Sequence, residues 1–408
     1  MSPSSLGRLI AQQRRLRGYS QARLAELLCA AAGSPTVTRH EVSRWERGER
    51  LPGVQWLGWL AHVLGLSPTR LGLAAGPDLR RVSTAEVTDL CLLAGSWLRQ
   101  DPGGDPQAAA PDPGIGALRR MDDLVGGADL APLAARHRRQ ALAALRPARG
   151  TGRRLLLAPA VELSQLAGWT AADAGQPRAA LGAYREGLVL AMEAGDRQLG
   201  AHLLGSASHL LGEQEPGSAW QLARVAAAGA RAHGSAGLRA LLAQRAAYAA
   251  ARCGDRRAAH GCLLVAQRLG ERLVPEREPP WLYWLDQAEL AAMTGRCLVV
   301  LDRPLRALPL LSRPELRGSR QPRSVAVYSG WLARALLGVG ELEEACAVGA
   351  GGVIASVRSG SVRAAEQTRE LAARLAPRQD VRAVRELSDL ISYVTSYLPG
   401  ARGLRRLV

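Results

Sequence analysis

Arg39, His40, Ser43, Arg44 and Arg47 share one side of a short helix predicted to begin at Thr38, because residues three or four apart lie on one helical face. A guanidinium offers a rigid fork of donors that fits the O6 and N7 acceptors of guanine, and such a bidentate contact discriminates between bases by ~1–3 kcal/mol. Arg39 and Arg44 suit that chemistry, and Arg47 and Arg50 suit phosphate. His40 fits either a base contact or a solvated ring. Val42 and Trp45 fall on the opposite side, so one face packs while the other is free to meet the major groove of double-stranded DNA.

The elements that must hold this helix are legible around it. Thr38 and Glu41 have the spacing of a capping box, in which each side chain satisfies a backbone N–H at the helix start. Glu41 is therefore assigned to capping rather than to reading cytosine. Upstream, Ser20 can cap a helix whose Leu24, Ala25, Leu27 and Leu28 form an apolar stripe. Gln21 occupies its first turn, where N–H groups attract phosphate. Downstream, Leu57, Leu60 and Leu64 give a further core face. Trp56, Trp59 and Val63 form a second edge, open between core packing and contact with another surface.

The Ser-Gln opening at 20–21 and the Trp-Glu-Arg-Gly ending at 45–48 resemble the XRE, or Cro and phage-repressor-like, helix-turn-helix family over residues 6–72. The resemblance implies that Arg39, His40 and Arg44 read base edges; with Thr38, Ser43 and Arg47 beside them on the predicted helix and Gln21 on the preceding one, they make up the expected DNA-binding set. It also implies that Gln21 contacts the DNA backbone and that Arg14 pairs with Glu46. The chain departs from the family at Cys29–Thr36, an insertion of about seven residues in place of a short turn, which bears on how the two helices are placed.

The 408 residues allow two or three domains. All 53 basic residues are arginine, with no lysine, asparagine or phenylalanine, and the formal net charge is +17. That bias resembles a high-GC bacterial genome, so total charge says less than its local distribution. Residues 1–80 hold 11 arginines against 5 acidic residues, a balance that favours phosphate. The six cysteines stand apart, with no C-x-x-C pair or matching histidine cluster, which fits free buried thiols and no metal site. No leader-like segment and no run of 18 apolar residues is present, so a cytoplasmic protein without membrane contact is expected.

The expected fold is all-α, an N-terminal helix-turn-helix domain followed by an α-solenoid of degenerate tetratricopeptide-like helix pairs. The expected boundaries are 1–75 for the DNA-binding domain, 76–116 for a connecting helix and flexible linker, and 117–398 for the repeats. Within the linker, Ser83 and Glu86 make a second capping box and Gln100–Gly116 is rich in Pro, Gly and Asp. In the repeats, Gly175, Gly254 and Gly340 are each followed five residues later by alanine. Each is preceded seven residues earlier by Gly168, Ala247 or Ala333, and followed twelve later by Gly187, Ala266 or Gly352. Small residues at these offsets let antiparallel helices approach closely, with Tyr184 or Leu263 filling the space beside them. This pattern resembles the tetratricopeptide repeat over residues 150–360, with weaker copies around Gly212 and Gly295; Pro304 and Pro309 interrupt the latter.

Stacked repeats of this kind present a concave groove. The resemblance implies that it is lined by Gln165, Trp169, His202, Ser206, His209, Gln244, Tyr248, Glu289 and Arg334, a mixture suited to a peptide, small ligand or partner protein. The combined architecture resembles actinobacterial XRE regulators with C-terminal repeats, some of whose relatives respond to small peptides through asparagines that this chain lacks. Phosphate-binding and hydrolase motifs are absent, and Asp122-Asp123 reads as a salt-bridged surface beside Arg119 and Arg120. The sequence therefore predicts a sequence-specific transcriptional regulator, homodimeric because one short helix reads too few bases, with no catalytic residues and no cofactor. A helical-repeat interaction scaffold with weak or no DNA specificity is the alternative.

Overall fold

Ser20 and Thr38 start their helices by accepting the N–H groups of Arg23 and Glu41, and Gly33 and Gly48 end them in the left-handed conformation. A computed structural model describes residues 5–33, 35–50, 52, 54–66, 82–100, 112–317 and 321–399. These residues form helices and turns with no strand among them. The chain divides into two compact units, Met1–Val82 and Ser83–Val408.

In the first unit, α1 (Ser5–Leu16) and α2 (Gln21–Ala32) both pack on α3 (Arg39–Arg47), and α4 (Val54–Val63) packs on α2. Leu6, Ile10, Leu24, Leu28, Val42, Leu60 and Leu64 are completely buried, and Trp45 nearly so. Trp56, Trp59 and Val63 are partly buried against this core. The inserted Cys29–Ala32 prolongs α2 by about one turn. The Cys29 thiol lies 3.2 Å from the Val37 carbonyl, which leads the chain back to α3. Val37 itself is buried in the core. α3 touches α1 most closely at Gly7, where a Cβ would strike the Trp45 and Glu46 backbone.

The second unit is a stack of helix pairs. Its inner series is α8 (Gly150–Asp173), α10 (Arg197–Leu211), α12 (Ala236–Arg252), α14 (Gln287–Val300), α17 (Pro322–Val339) and α19 (Val362–Leu375), each packed on the next. Their partners are α9 (Pro177–Ala194), α11 (Pro216–Gly229), α13 (Arg256–Gly270), α15 (Pro304–Leu311), α18 (Leu342–Ser359) and α20 (Arg382–Val394). The turn glycines Gly175, Gly254 and Gly340 have φ of 71°, 79° and 90°. Gly168 meets the Tyr184 ring, and Ala180, Ala247, Ala259, Ala333 and Ala345 have no exposed surface.

Gly295 lies inside α14 rather than in a turn. Asp302, seven residues on, takes the turn position with φ 57°, and Ala307 fills the buried position after it. Pro304 begins α15, whose eight residues make the shortest partner of the series.

The helix at 83–99, expected to be a connector, belongs to the second unit. α5 (Thr84–Arg99) lies on α9 and α11, with Trp97 buried against Gly200 and Gly229. Its reciprocal Ser83–Glu86 cap is complete. Residues 101–111 of the expected linker lie outside the described residues; Asp112 caps α6 (Pro113–Leu124) immediately after them. α7 (Gly127–Leu145) follows and packs on α8. The short helix α16 (Pro314–Arg317) packs beside α17.

Candidate functional site

Two sites emerge, one in each unit. On α3 the buried side is Val42, Trp45 and Glu46, which leaves Thr38, Arg39, His40, Arg44 and Arg47 exposed. Arg39 and His40 have neither hydrogen bond nor ion pair among the described residues. Arg44 lies 3.4 Å from Glu41, and Arg47 binds Glu49 at 2.7 Å and donates to Ser43 Oγ at 2.6 Å. Exposed pairs of this kind stabilise by at most ~1 kcal/mol, so a phosphate or base can displace them. The capping box is half formed. Thr38 Oγ1 accepts the Glu41 N–H at 3.4 Å, but the Glu41 carboxylate turns to Arg44 and Arg50 instead of the Thr38 backbone.

Behind this face, Arg14 donates from Nε and Nη2 to the two Glu46 oxygens at 2.6 and 3.0 Å, and from Nη1 to the Tyr19 carbonyl at 2.8 Å. The Glu46 carboxylate raises the Arg14 pKa above its ordinary value. Gln21 Nε2 also donates to Glu46, at 2.8 Å. Its side-chain amide N–H is thereby held within the domain, and the start of α2 offers phosphate its backbone N–H groups. Gln21, Ser43 and Arg47 share one depression with Arg8, Gln12 and Arg15 of α1. These α1 side chains widen the polar surface beyond the residues expected from α2 and α3.

In the second unit the inner helices curve around a cavity of about 130 Å³, room for roughly four waters at the ~30 Å³ each occupies in the liquid. It is more enclosed than the open groove expected. The two ends of the stack meet, with Asp122 of α6 gripped by Arg323 Nη1 and Nη2 of α17 at 2.9 Å each and Asp173 of α8 bound by Arg363 Nε of α19 at 2.8 Å. Asp122 is thus a buried closure residue, not part of a surface salt bridge. Asp123 accepts the Tyr283 hydroxyl, and burial pushes its carboxyl above the usual range.

Gln165, Trp169, His202, His209 and Glu289 line the cavity. Trp169 carries His209 stacked at 5.7 Å and Arg363 at 4.3 Å, while His202 stacks on Trp281 at 4.6 Å. Burial and neighbouring arginines push both histidines well below their ordinary pKa. The other four expected groove residues do not line this cavity. Ser206 accepts from Gln165 at 3.3 Å, and Gln244 donates to Thr294 at 2.7 Å. The Tyr248 hydroxyl donates to Glu213 at 3.2 Å, and Arg334 lies over the Trp331 ring at 4.0 Å.

The sequence reading missed Arg245, Arg296, Arg323 and Arg363 on the cavity wall. A signal was present at Arg245, an arginine within LLAQRAAYAAA, a run of mostly apolar residues that favours burial. Among the described residues no group of three or more His, Cys, Asp or Glu is arranged for a metal, and no helix is long and apolar enough to cross a membrane.

Residues 10–71 match the helix-turn-helix family model HTH_3. No curated protein matches the chain. Among solved structures, the chain is similar to that described as "Crystal Structure of Bacillus thuringiensis PlcR in complex with the peptide PapR7 and DNA". The two are 13% identical over 76% of this chain and 95% of the other, with a TM-score of 0.28. A superposition that loose carries no argument about a shared mechanism. The match at 10–71 covers α2 and α3 in full, so the N-terminal unit holds a helix-turn-helix module.

Proposed function

We propose that this protein is a sequence-specific transcriptional regulator that binds double-stranded DNA as a homodimer through α3. The observation that carries the reading is the division of α3: Val42 and Trp45 are anchored in the core, while Arg39 and His40 are exposed with no partner among the described residues. Arg39, His40 and Arg44 read base edges. Ser43, Arg47 and the Gln21 end of α2 position the module on phosphates. The Arg14–Glu46 pair locks α1 to α3 and sets the angle of the reading helix. Two half-sites supply the length that one short helix lacks.

The repeat unit regulates DNA binding through its cavity, whose size suits a small molecule or the end of a short peptide rather than an extended chain. The reading places the protein in the cytoplasm and gives it no catalytic step. Selection of bound fragments from a random DNA pool at near-physiological salt tests it, with wild type beside an Arg39→Ala/Arg44→Ala variant. The expected result is a palindromic motif enriched by the wild type alone. No enrichment, or binding that fades with salt in both proteins without sequence preference, would favour the scaffold; equal enrichment of a motif by both would remove Arg39 and Arg44 from the reading.

A further inference from the structure

We propose that the repeat cavity is a receptor for an oxyanion, a carboxylate or phosphate held by Arg245 and Arg296 beside the Trp169 ring. This deepens the regulator reading and rests on it for its biological meaning. Three of the five arginines on the wall have acidic partners. Arg323 is paired with Asp122 and Arg363 with Asp173, and Arg119 lies 3.5 Å from Glu162. Arg245 and Arg296 have no ion pair among the described residues, although they are only 4% and 8% exposed. Each lies over an aromatic ring instead, Arg245 at 5.5 Å from Trp169 and Arg296 at 4.2 Å from Tyr248.

A ring face does not neutralise a buried cation as a carboxylate does, and an uncompensated buried charge is costly. Glu289 is the acid whose field reaches both Arg296 and Arg245, but among the described residues it forms no ion pair with either; it accepts the Tyr328 hydroxyl, and burial pushes its carboxyl upward. Two cations therefore remain facing one space.

The unmet hydrogen-bonding capacity has a single sign. Among the wall residues, the buried side-chain atoms without a partner among the described residues are Arg119 Nε, His209 Nδ1, Arg245 Nη1 and Arg296 Nε. Arginine nitrogens only donate. His209 Nε2 lies 3.4 Å from Arg363 Nη1, so the neutral ring accepts there and carries its proton on Nδ1. All four are donors. A neutral ligand or water can accept some of these hydrogen bonds, but an oxyanion also answers the charge, and charge-assisted bonds to arginine are the strong ones. The Trp169 ring and the limited volume favour a small flat or compact body behind the anionic group.

The test uses the full chain in DNA-free buffer at constant ionic strength. Calorimetric titrations employ inorganic phosphate, benzoate, and a tripeptide ending in tryptophan as its free acid and as its amide. Wild type is compared with Arg245→Met and Arg296→Met, which leave the arginine-rich helix-turn-helix untouched as an internal control. Binding of at least one anionic probe, weakened ~10-fold or more in either variant, is expected from the loss of a charged hydrogen bond.

Binding of phosphate or benzoate identifies a free small anion, and binding of the free-acid tripeptide but not its amide identifies a peptide terminus. No probe bound by wild type, or equal binding by the variants, overturns the proposal. Arg245→Met should also melt no lower than wild type without ligand; a lower melting temperature with unchanged anion binding would mark the arginine as structural. If the methionine variant does not fold, Arg245→Lys keeps the charge but loses the guanidinium donors, and undiminished anion binding there overturns the role proposed for Arg245. Because no DNA is present, failure here leaves the α3 reading intact, and failure of the DNA selection leaves this one intact.

Discussion

Asp173, at the end of α8, accepts Arg363 Nε at 2.8 Å and Ser361 Oγ at 2.6 Å across 190 and 188 residues of sequence. Gly127 N–H donates to its other oxygen at 3.0 Å, and Arg323 lies 3.6 Å away. This one fully buried carboxylate ties the first inner helix to the last two. It draws the two ends of the stack together around the cavity.

Asp173→Asn should therefore destabilise the repeat unit by ~3–5 kcal/mol, since it leaves buried arginines without their counter-charge. Arg363 and Arg323 hold the Asp173 pKa down at about 2 despite the opposing effect of burial. With the folded value below the unfolded one, its stabilisation is complete above pH ~4 and disappears as pH falls toward 2. Thermal melts of wild type and variant across that range should converge at the acid end. Parallel curves would show that the closure does not depend on this charge.

His202 and His209 predict a second, separate pH window. Burial, first, and then nearby arginines lower both folded pKa values, so their neutral rings favour the folded state above the unfolded pKa of ~6.5. As pH drops below that, the unfolded chain takes up protons that the folded one refuses, and each ring can cost up to ~1.4 kcal/mol per pH unit. Melting temperatures should fall between pH 6.5 and 5. The His202→Phe/His209→Phe variant should flatten that fall, and an unchanged slope would assign the effect to other groups.

Cysteine reactivity gives a direct check on the packing of α14. Burial pushes the Cys297 thiol up to about 12 and leaves it without exposed surface, whereas Cys253 stands exposed after α12. Alkylation at pH 8 with peptide mapping should label Cys253 in the native protein and Cys297 only after unfolding. Early labelling at Cys297 would mean that α14 opens locally.

What could be read in advance was what depends on local chemistry. Ser20 and Thr38 announce helix starts through the groups they must cap. The offsets around Gly175, Gly254 and Gly340 reveal helix pairs because close approach requires small residues. Two pairs were obscured because Gln214 and Asp302 occupy the turn position, although Ala219 and Ala307 are still buried five residues later. The cavity was harder to read because neighbouring inner helices contribute different levels of their length. Trp169 comes from the end of α8, whereas Arg323 and Tyr328 come from the first two turns of α17. A fixed offset from the small residue cannot follow that drift. Nor could local spacing reveal that Asp122 meets Arg323, 201 residues away.

The glycines of the first helix pair allow the packing rule itself to be tested by opposite signs. At Gly168 a Cβ would enter the ring of Tyr184, while at Gly182 on the neighbouring helix it would meet nothing within 4 Å. Both lie in helix interiors, where alanine is intrinsically favoured by ~1 kcal/mol. Gly182→Ala should therefore raise stability by up to that amount. Gly168→Ala must displace a side chain that is 1% exposed, and overpacking of this kind costs ~1–3 kcal/mol, enough to reverse the propensity gain. Urea unfolding of the two variants should move the midpoint in opposite directions. A Gly168→Ala variant as stable as Gly182→Ala would show that α8 and α9 do not depend on this close approach.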